Sequence, residues 1–170
     1  MHAETGPFAE VGSGQMGRSM SEIDGVRRIP LVRHADDRGY LVEVLRATDP
    51  HFGKFGQVYV SFCRRGVVKA WHAHQKQTDR FYVVCGTSKV GLWDGRPDSP
   101  THGAYQQVVL GDQGENALLI VPPMVWHGQM SLSEVTYLIN FPTEVYDPDA
   151  PDELRKGLDE LDDIWTVQPR

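Results

Sequence analysis

The chain has 170 residues with 40% apolar and 24% charged content, the balance of a water-exposed globular protein with a core of its own. A net charge of −6 and a pI near 5.6 speak against nonspecific binding to nucleic acid or a membrane surface, and no apolar run reaches bilayer length. Cys63 and Cys85 lie in apolar, strand-like runs, which suits reduced cysteines of a cytoplasmic protein rather than a disulfide framework.

Residues 1–23 are rich in Gly, Ser and Met, lack periodicity and read as a disordered tail, leaving residues 24–170 as one domain. Arg27 to Val32 reads as a strand, His34 to Tyr40 as a turn and Leu41 to Leu45 as the next strand. After a polar turn from Asp49 to Gly56, QVYVSF (Gln57 to Phe62) alternates cleanly. The stretch from Gly66 to Gly86 starts as a strand with Val68, Ala70 and His72 on one face and Val67, Lys69 and Trp71 on the other. His74 follows on the side of His72. A polar turn (Gln75 to Thr78) then leads to Asp79 and the apolar run Phe81 to Cys85.

Ser88 to Trp93 is a further strand, and Asp94 to Gly103 a long turn dense in Pro, Gly and Asp. Val108–Leu110 and Ala117–Val121 are apolar runs separated by GDQGEN. Pro122 to Gly128 is expected to interrupt strand pairing and present His127, and Val135 to Phe141 closes the strand series. Glu153 to Leu161 is predicted as a short helix whose acidic start suits the helix dipole. About ten short strands punctuated by turns predict an all-β fold, a double-stranded β-helix or jelly roll, with that short C-terminal helix added.

The spacing G-x5-H-x-H-x4-D-x6-G resembles the first motif of the cupins with Asp79 in place of glutamate, and His127 falls where their second motif has its histidine. His72, His74, Asp79 and His127 are a donor set for a divalent transition metal. The alternative for each is a polar residue that lines a pocket. His2, His34, His51 and His102, in the tail and in turns, receive no chemistry.

A longer resemblance spans about Asp24 to Val167 and is carried by DDRGYLVEVLR, QVYVSF, GVVKAWH, DGRPDSPTHGAY, LLIVPPMVWHGQMSLSE and PTEVY, in that order. These segments resemble the dTDP-4-dehydrorhamnose 3,5-epimerase family, most closely its shorter members. The resemblance implies a metal-free cupin, usually a homodimer, that acts on a nucleoside-diphosphate 4-keto-6-deoxyhexose in deoxysugar or surface-polysaccharide synthesis. It implies His72 as the base that removes a proton alpha to the ketone, Asp163 as its carboxylate partner, and Lys69 as support for the enolate or diphosphate. Arg38, Glu43 and Gln57 match ligand contacts, the arginine often reaching over from the partner subunit. Tyr146 matches an aromatic near the nucleotide, and Arg80 adds positive charge.

Two positions depart from the family pattern. Asn140 stands where the family has a catalytic tyrosine, and Asp79 where longer members have a lysine. An amide cannot replace a phenol as proton donor. The expectation is therefore a single epimerisation or a related isomerisation, with Tyr137 or Tyr146 as substitute acid. His74 and Asn140 remain expected substrate contacts. The HAH pattern is also similar to sugar 3,4-ketoisomerases. Competing expectations are a metal-dependent cupin built on the four residues above and a sugar-nucleotide-binding cupin without turnover.

Overall fold

A computed structural model describes residues 21–167; most of the expected N-terminal tail lies outside the described residues. Twelve strands follow in order: β1 (Arg27–Pro30), β2 (His34–Asp36), β3 (Gly39–Leu41), β4 (Tyr59–Arg64), β5 (Val68–Ala73) and β6 (Asp79–Cys85). They continue with β7 (Thr87–Asp94), β8 (Tyr105–Gly111), β9 (Ala117–Val121), β10 (Val125–Ser131), β11 (Val135–Asn140) and β12 (Leu154–Arg155). Two five-stranded antiparallel sheets result, β1-β9-β6-β11-β4 and β12-β5-β10-β7-β8, with β2 and β3 as a separate hairpin. Their inner faces meet over Phe81, Val83, Val90, Leu92, Val108, Leu110, Leu119, Val121, Val125 and Leu138, giving the expected jelly roll.

A second apolar cluster lies on the other side of the β5-containing sheet. There Trp71, Trp126 and Met130 are covered by Ile164 and Trp165 of the C-terminal segment. The Trp71 and Trp165 rings are 5.0 Å apart and tilted. Lys89 fixes this segment by donating to the Ile164 and Trp165 carbonyls, each at 2.9 Å. Both cysteines are free, Cys63 buried and Cys85 exposed.

The structure corrects three sequence expectations. No helix forms over 153–161. Instead β12 adds to the edge of β5, pairing Leu154 with Ala73 and Arg155 with His72. Nine residues interrupted by Gly157 are too few to hold a helix by themselves, while the β5 edge offers backbone partners, and Lys156 and Trp71 exchange hydrogen bonds there. The His34–Tyr40 segment is not a plain turn but the β2–β3 hairpin, with Asp36 opposite Gly39. The break in pairing before His127 is confined to residues 122–124, where Met124 takes a left-handed φ of 62°, so His127 lies within β10.

Candidate functional site

A bulge in β5 sets the geometry. Strict alternation would separate Lys69 from His72, three residues on. Against β10, however, His72 pairs with His127 while Lys69 pairs with Gln129, a register shift of one residue. Lys69, His72, His127 and Gln129 therefore line one cavity, joined by Tyr59 and Ser61 of β4, Phe81 of β6 and Leu138 of β11. The two sheets supply opposite walls. Gly128 permits the close approach of β5, because a Cβ there would lie 2.2 Å from the Ala70 Cβ.

The three histidines converge as their spacing suggests. The His72 and His127 rings are 4.2 Å apart, and His74 is 5.9 Å from each. His127 is buried, with Nδ1 2.9 Å from the Val125 carbonyl oxygen. Nδ1 of His74 meets the Asp152 carbonyl. A carbonyl only accepts, so both rings carry their proton on Nδ1 and turn Nε2 inward. The carboxylate of Asp152 accepts from the backbone N–H groups of Gln75, Lys76 and Gln77 at 2.9–3.0 Å, and the N–H of Met124 donates to the His74 carbonyl at 2.8 Å. These bonds lock the turn that carries His74.

Asp79 is 1% exposed. Its Oδ1 accepts from Gln77 Nε2 at 2.7 Å and Asn140 Nδ2 at 2.6 Å. Its Oδ2 lies 3.2 Å from His127 Nε2 and 3.5 Å from His74 Nε2, but neither Oδ2 nor His127 Nε2 has a partner in hydrogen-bonding line. Burial pushes the Asp79 carboxyl up, but His127, His74 and the Asn140 amide outweigh it and hold it down at about 2. For His72, burial and then the neighbouring His127 imidazole push the pKa well below the ordinary histidine value, so the ring is neutral at pH 7. Lys69 Nζ donates to Ser61 Oγ at 3.2 Å and to the Phe62 carbonyl, and Gln129 Nε2 donates to Ser61 Oγ at 2.9 Å.

Other expected site residues lie elsewhere. Asp163 does not stand beside His72: it is exposed and accepts from Trp165 N, Thr166 N and Thr166 Oγ1 in its own turn, near the Lys89 charge. The carboxylate facing the histidines is Asp79. Arg80 points away from the cavity because it alternates with Asp79 and Phe81; its guanidinium donates to the carbonyls of Phe52, Lys54 and Phe141 and clamps the loop before β4. Arg38 pairs with Asp36 on the exposed hairpin, and Glu43 pairs with Arg46. Gln57 Oε1 accepts the Tyr146 N–H at 3.2 Å, outside the residues lining the cavity. Tyr137 faces outward, 42% exposed, with its ring 5.2 Å from Phe62, and Tyr146 is 60% exposed. Neither tyrosine lines the cavity.

Sequence reading missed Tyr59, Ser61, Gln129 and Asp152. Tyr59 and Ser61 were visible as same-face positions of QVYVSF, and Gln129 as the residue two beyond His127. Asp152 carries no local signal, since it acts 75–77 residues away.

Comparison with known proteins agrees with the fold and the motifs. The family described as dTDP-4-dehydrorhamnose 3,5-epimerase matches residues 20–167. The spore coat polysaccharide biosynthesis protein SpsL of Bacillus subtilis is 39% identical over 139 residues, covering 81% of this chain and 91% of its own. The probable low-salt glycan biosynthesis epimerase Agl13 of Haloferax volcanii is 38% identical over 148 residues, covering 82% and 91%. The crystal structure of a dTDP sugar isomerase from Desulfovibrio desulfuricans superposes with a TM-score of 0.76 at 31% identity, over 81% of this chain and 87% of that one. With a family match across most of its length and relatives close to 40% identical, this chain belongs to the dTDP-4-dehydrorhamnose 3,5-epimerase family.

Proposed function

We propose that this family member is an epimerase of a nucleoside-diphosphate 4-keto-6-deoxyhexose, inverting one carbon next to the ketone. The observation that carries the reading is the shared cavity of His72 and Lys69, produced by the β5 bulge. The neutral His72 imidazole takes the proton alpha to the carbonyl; the electron pair moves into the enolate, whose oxygen the Lys69 ammonium stabilises. His127, packed against His72, fixes the ring from the neighbouring strand. Asp79 turns Oδ2 toward His127 and His74, the side of the site where the resemblance implies the carboxylate of Asp163. Asn140 is committed to Asp79 and the Arg80 N–H, which supports inversion at one carbon rather than two.

The names of the relatives place such chemistry in polysaccharide or glycan synthesis, and we carry that setting over to this chain. We also propose a cytoplasmic homodimer. No helix among the described residues is long and apolar enough to cross a membrane. Val60, Phe62 and Tyr137 are exposed together on the outer face of the neighbouring strands β4 and β11, an apolar patch that a second copy would cover. In such a dimer the exposed Arg38 would reach the partner's site, as the resemblance implies. The test is incubation with dTDP-4-keto-6-deoxyglucose and NMR assignment of the product. One new stereoisomer supports the reading; unchanged sugar refutes it.

A second reading is favoured by the donor geometry. Ligand atoms of His72, His74 and His127 lie within 4.8 Å of one another, and Oδ2 of Asp79 and Nε2 of His127 are buried without hydrogen-bond partners. Two of the imidazoles are oriented through Nδ1 by backbone carbonyls, as metal-binding histidines commonly are. These residues fit a divalent transition metal, which would supply Lewis-acid polarisation of a carbonyl. Equilibrium dialysis against Zn²⁺ or Mn²⁺ tests it: stoichiometric binding lost in His74→Ala supports this reading, and no binding refutes it.

A further inference from the structure

We propose that Tyr59 is the proton donor of this site, acting from the wall opposite His72. The proposal rests on the epimerase reading and adds the residue that reading lacks. Tyr59 is directly across the β4–β11 ladder from Asn140, with which it is paired in register. Its hydroxyl accepts from Asn140 Nδ2 at 2.9 Å. The same Asn140 nitrogen donates to Asp79, so the phenol is tied to the network that holds the histidines. A phenol is thus one strand away from the position where the sequence left an amide.

Placement on opposite sheets matters for stereochemistry. His72 comes from the β12-β5-β10-β7-β8 sheet and Tyr59 from the β1-β9-β6-β11-β4 sheet, and both line the one cavity. A carbon held between them loses its proton to one wall and regains one from the other, which is the requirement for inversion. His72 nitrogen takes the alpha proton, the C–H electron pair becomes the enolate double bond, and the carbonyl oxygen takes the negative charge beside Lys69. The Tyr59 O–H then delivers its proton to the opposite face of the same carbon as the carbonyl re-forms. This leaves a phenolate and an imidazolium, and a proton passes from the second to the first through solvent. No oxidant, reductant or cofactor is consumed.

The Tyr59 phenol is protonated at pH 7. Burial of the hydroxyl end and then the nearby Asp79 charge raise the Tyr59 pKa to about 12. Tyr137 and Tyr146 have no comparable position. The remaining hydroxyl in the cavity, Ser61 Oγ, accepts from Lys69 and Gln129.

The experiment compares wild type, Tyr59→Phe and His72→Asn on dTDP-4-keto-6-deoxyglucose in D2O, following deuterium uptake at carbon and appearance of the inverted sugar separately. Tyr59→Phe keeps the ring and removes the donor. It should still exchange the alpha proton, because His72 can return deuterium to the face it deprotonated. Inversion should fall about 10²-fold or more, the usual contribution of a general acid. His72→Asn should lose both signals. Inversion by Tyr59→Phe within about threefold of wild type, with His72→Asn inactive, would overturn the Tyr59 assignment and leave the epimerase reading standing. Absence of both signals in wild type would overturn the epimerase reading and this proposal with it. A melting curve for Tyr59→Phe close to that of wild type separates loss of the donor from loss of the fold.

Discussion

Truncating Asp79 to alanine tests whether the buried carboxylate holds the site together. The side chain is 1% exposed and accepts two amide hydrogen bonds of 2.6 and 2.7 Å. In Asp79→Ala, Gln77 Nε2 loses its acceptor inside the protein, at a cost of about 1–3 kcal/mol. Asn140 Nδ2 keeps Tyr59 and falls at the low end of that range. Together the two amide groups set the total at about 2–4 kcal/mol. At about 2–4 °C per kcal/mol, the melting temperature should drop by roughly 10 °C. Urea unfolding at pH 7 measures the difference. The pH dependence has a required sign. The folded carboxyl titrates at about 2, below its ordinary 3.8, so its stabilisation is complete above pH 3.8 and fades as the pH falls toward 2. The gap between wild type and variant must therefore shrink in that window. A loss below about 1 kcal/mol at pH 7, or a gap that widens on acidification, would refute the argument.

Three further outcomes are expected. His72 is held neutral in the fold below its ordinary 6.5, so the acid limb of kcat/KM should lie below pH 6.5; acidification past that value should also cost stability, because the unfolded chain takes the proton first. A rate that halves above pH 6.5 would show that a different group is the base. Asp152→Ala releases three backbone N–H groups of the 75–77 turn and should lower stability by about 1–3 kcal/mol, with faster hydrogen exchange at those amides. Gly128→Ala sets a methyl group against Ala70 and the Lys69 carbonyl; it should cost about 1–3 kcal/mol and reduce turnover by moving Lys69 relative to His72. Unchanged kinetics in Gly128→Ala would mean that the β5 bulge does not set the spacing of that pair.

The sequence made the strand pattern legible because alternation is a local signal. QVYVSF contributes Tyr59, Ser61 and Phe62 to β4, and ALLIV is β9 to the residue. The convergence of His72, His74, Asp79 and His127 was also legible, since three of them share one stretch and the fourth sits in the partner strand β10. Alternation failed at Lys69, because the bulge that turns it toward His72 is set by pairing with β10 and leaves no mark within β5. The same alternation turns Arg80, between Asp79 and Phe81, away from the cavity. The 153–161 segment misled for a related reason. Its acidic start and lack of β-branched residues favour a helix, yet a strand edge 80 residues earlier in the chain supplied the backbone partners that decided its form. Asp163 was matched by chain position near the C-terminus, whereas the carboxylate at the histidines comes from the start of β6.

The central claim is that His72 enolises a keto sugar, and NMR of dTDP-4-keto-6-deoxyglucose in D2O with chelator-treated protein tests it most directly. The account predicts deuterium uptake at a carbon next to the ketone by wild type and none above background by His72→Asn. Uptake that survives in His72→Asn, or none in wild type, would contradict it.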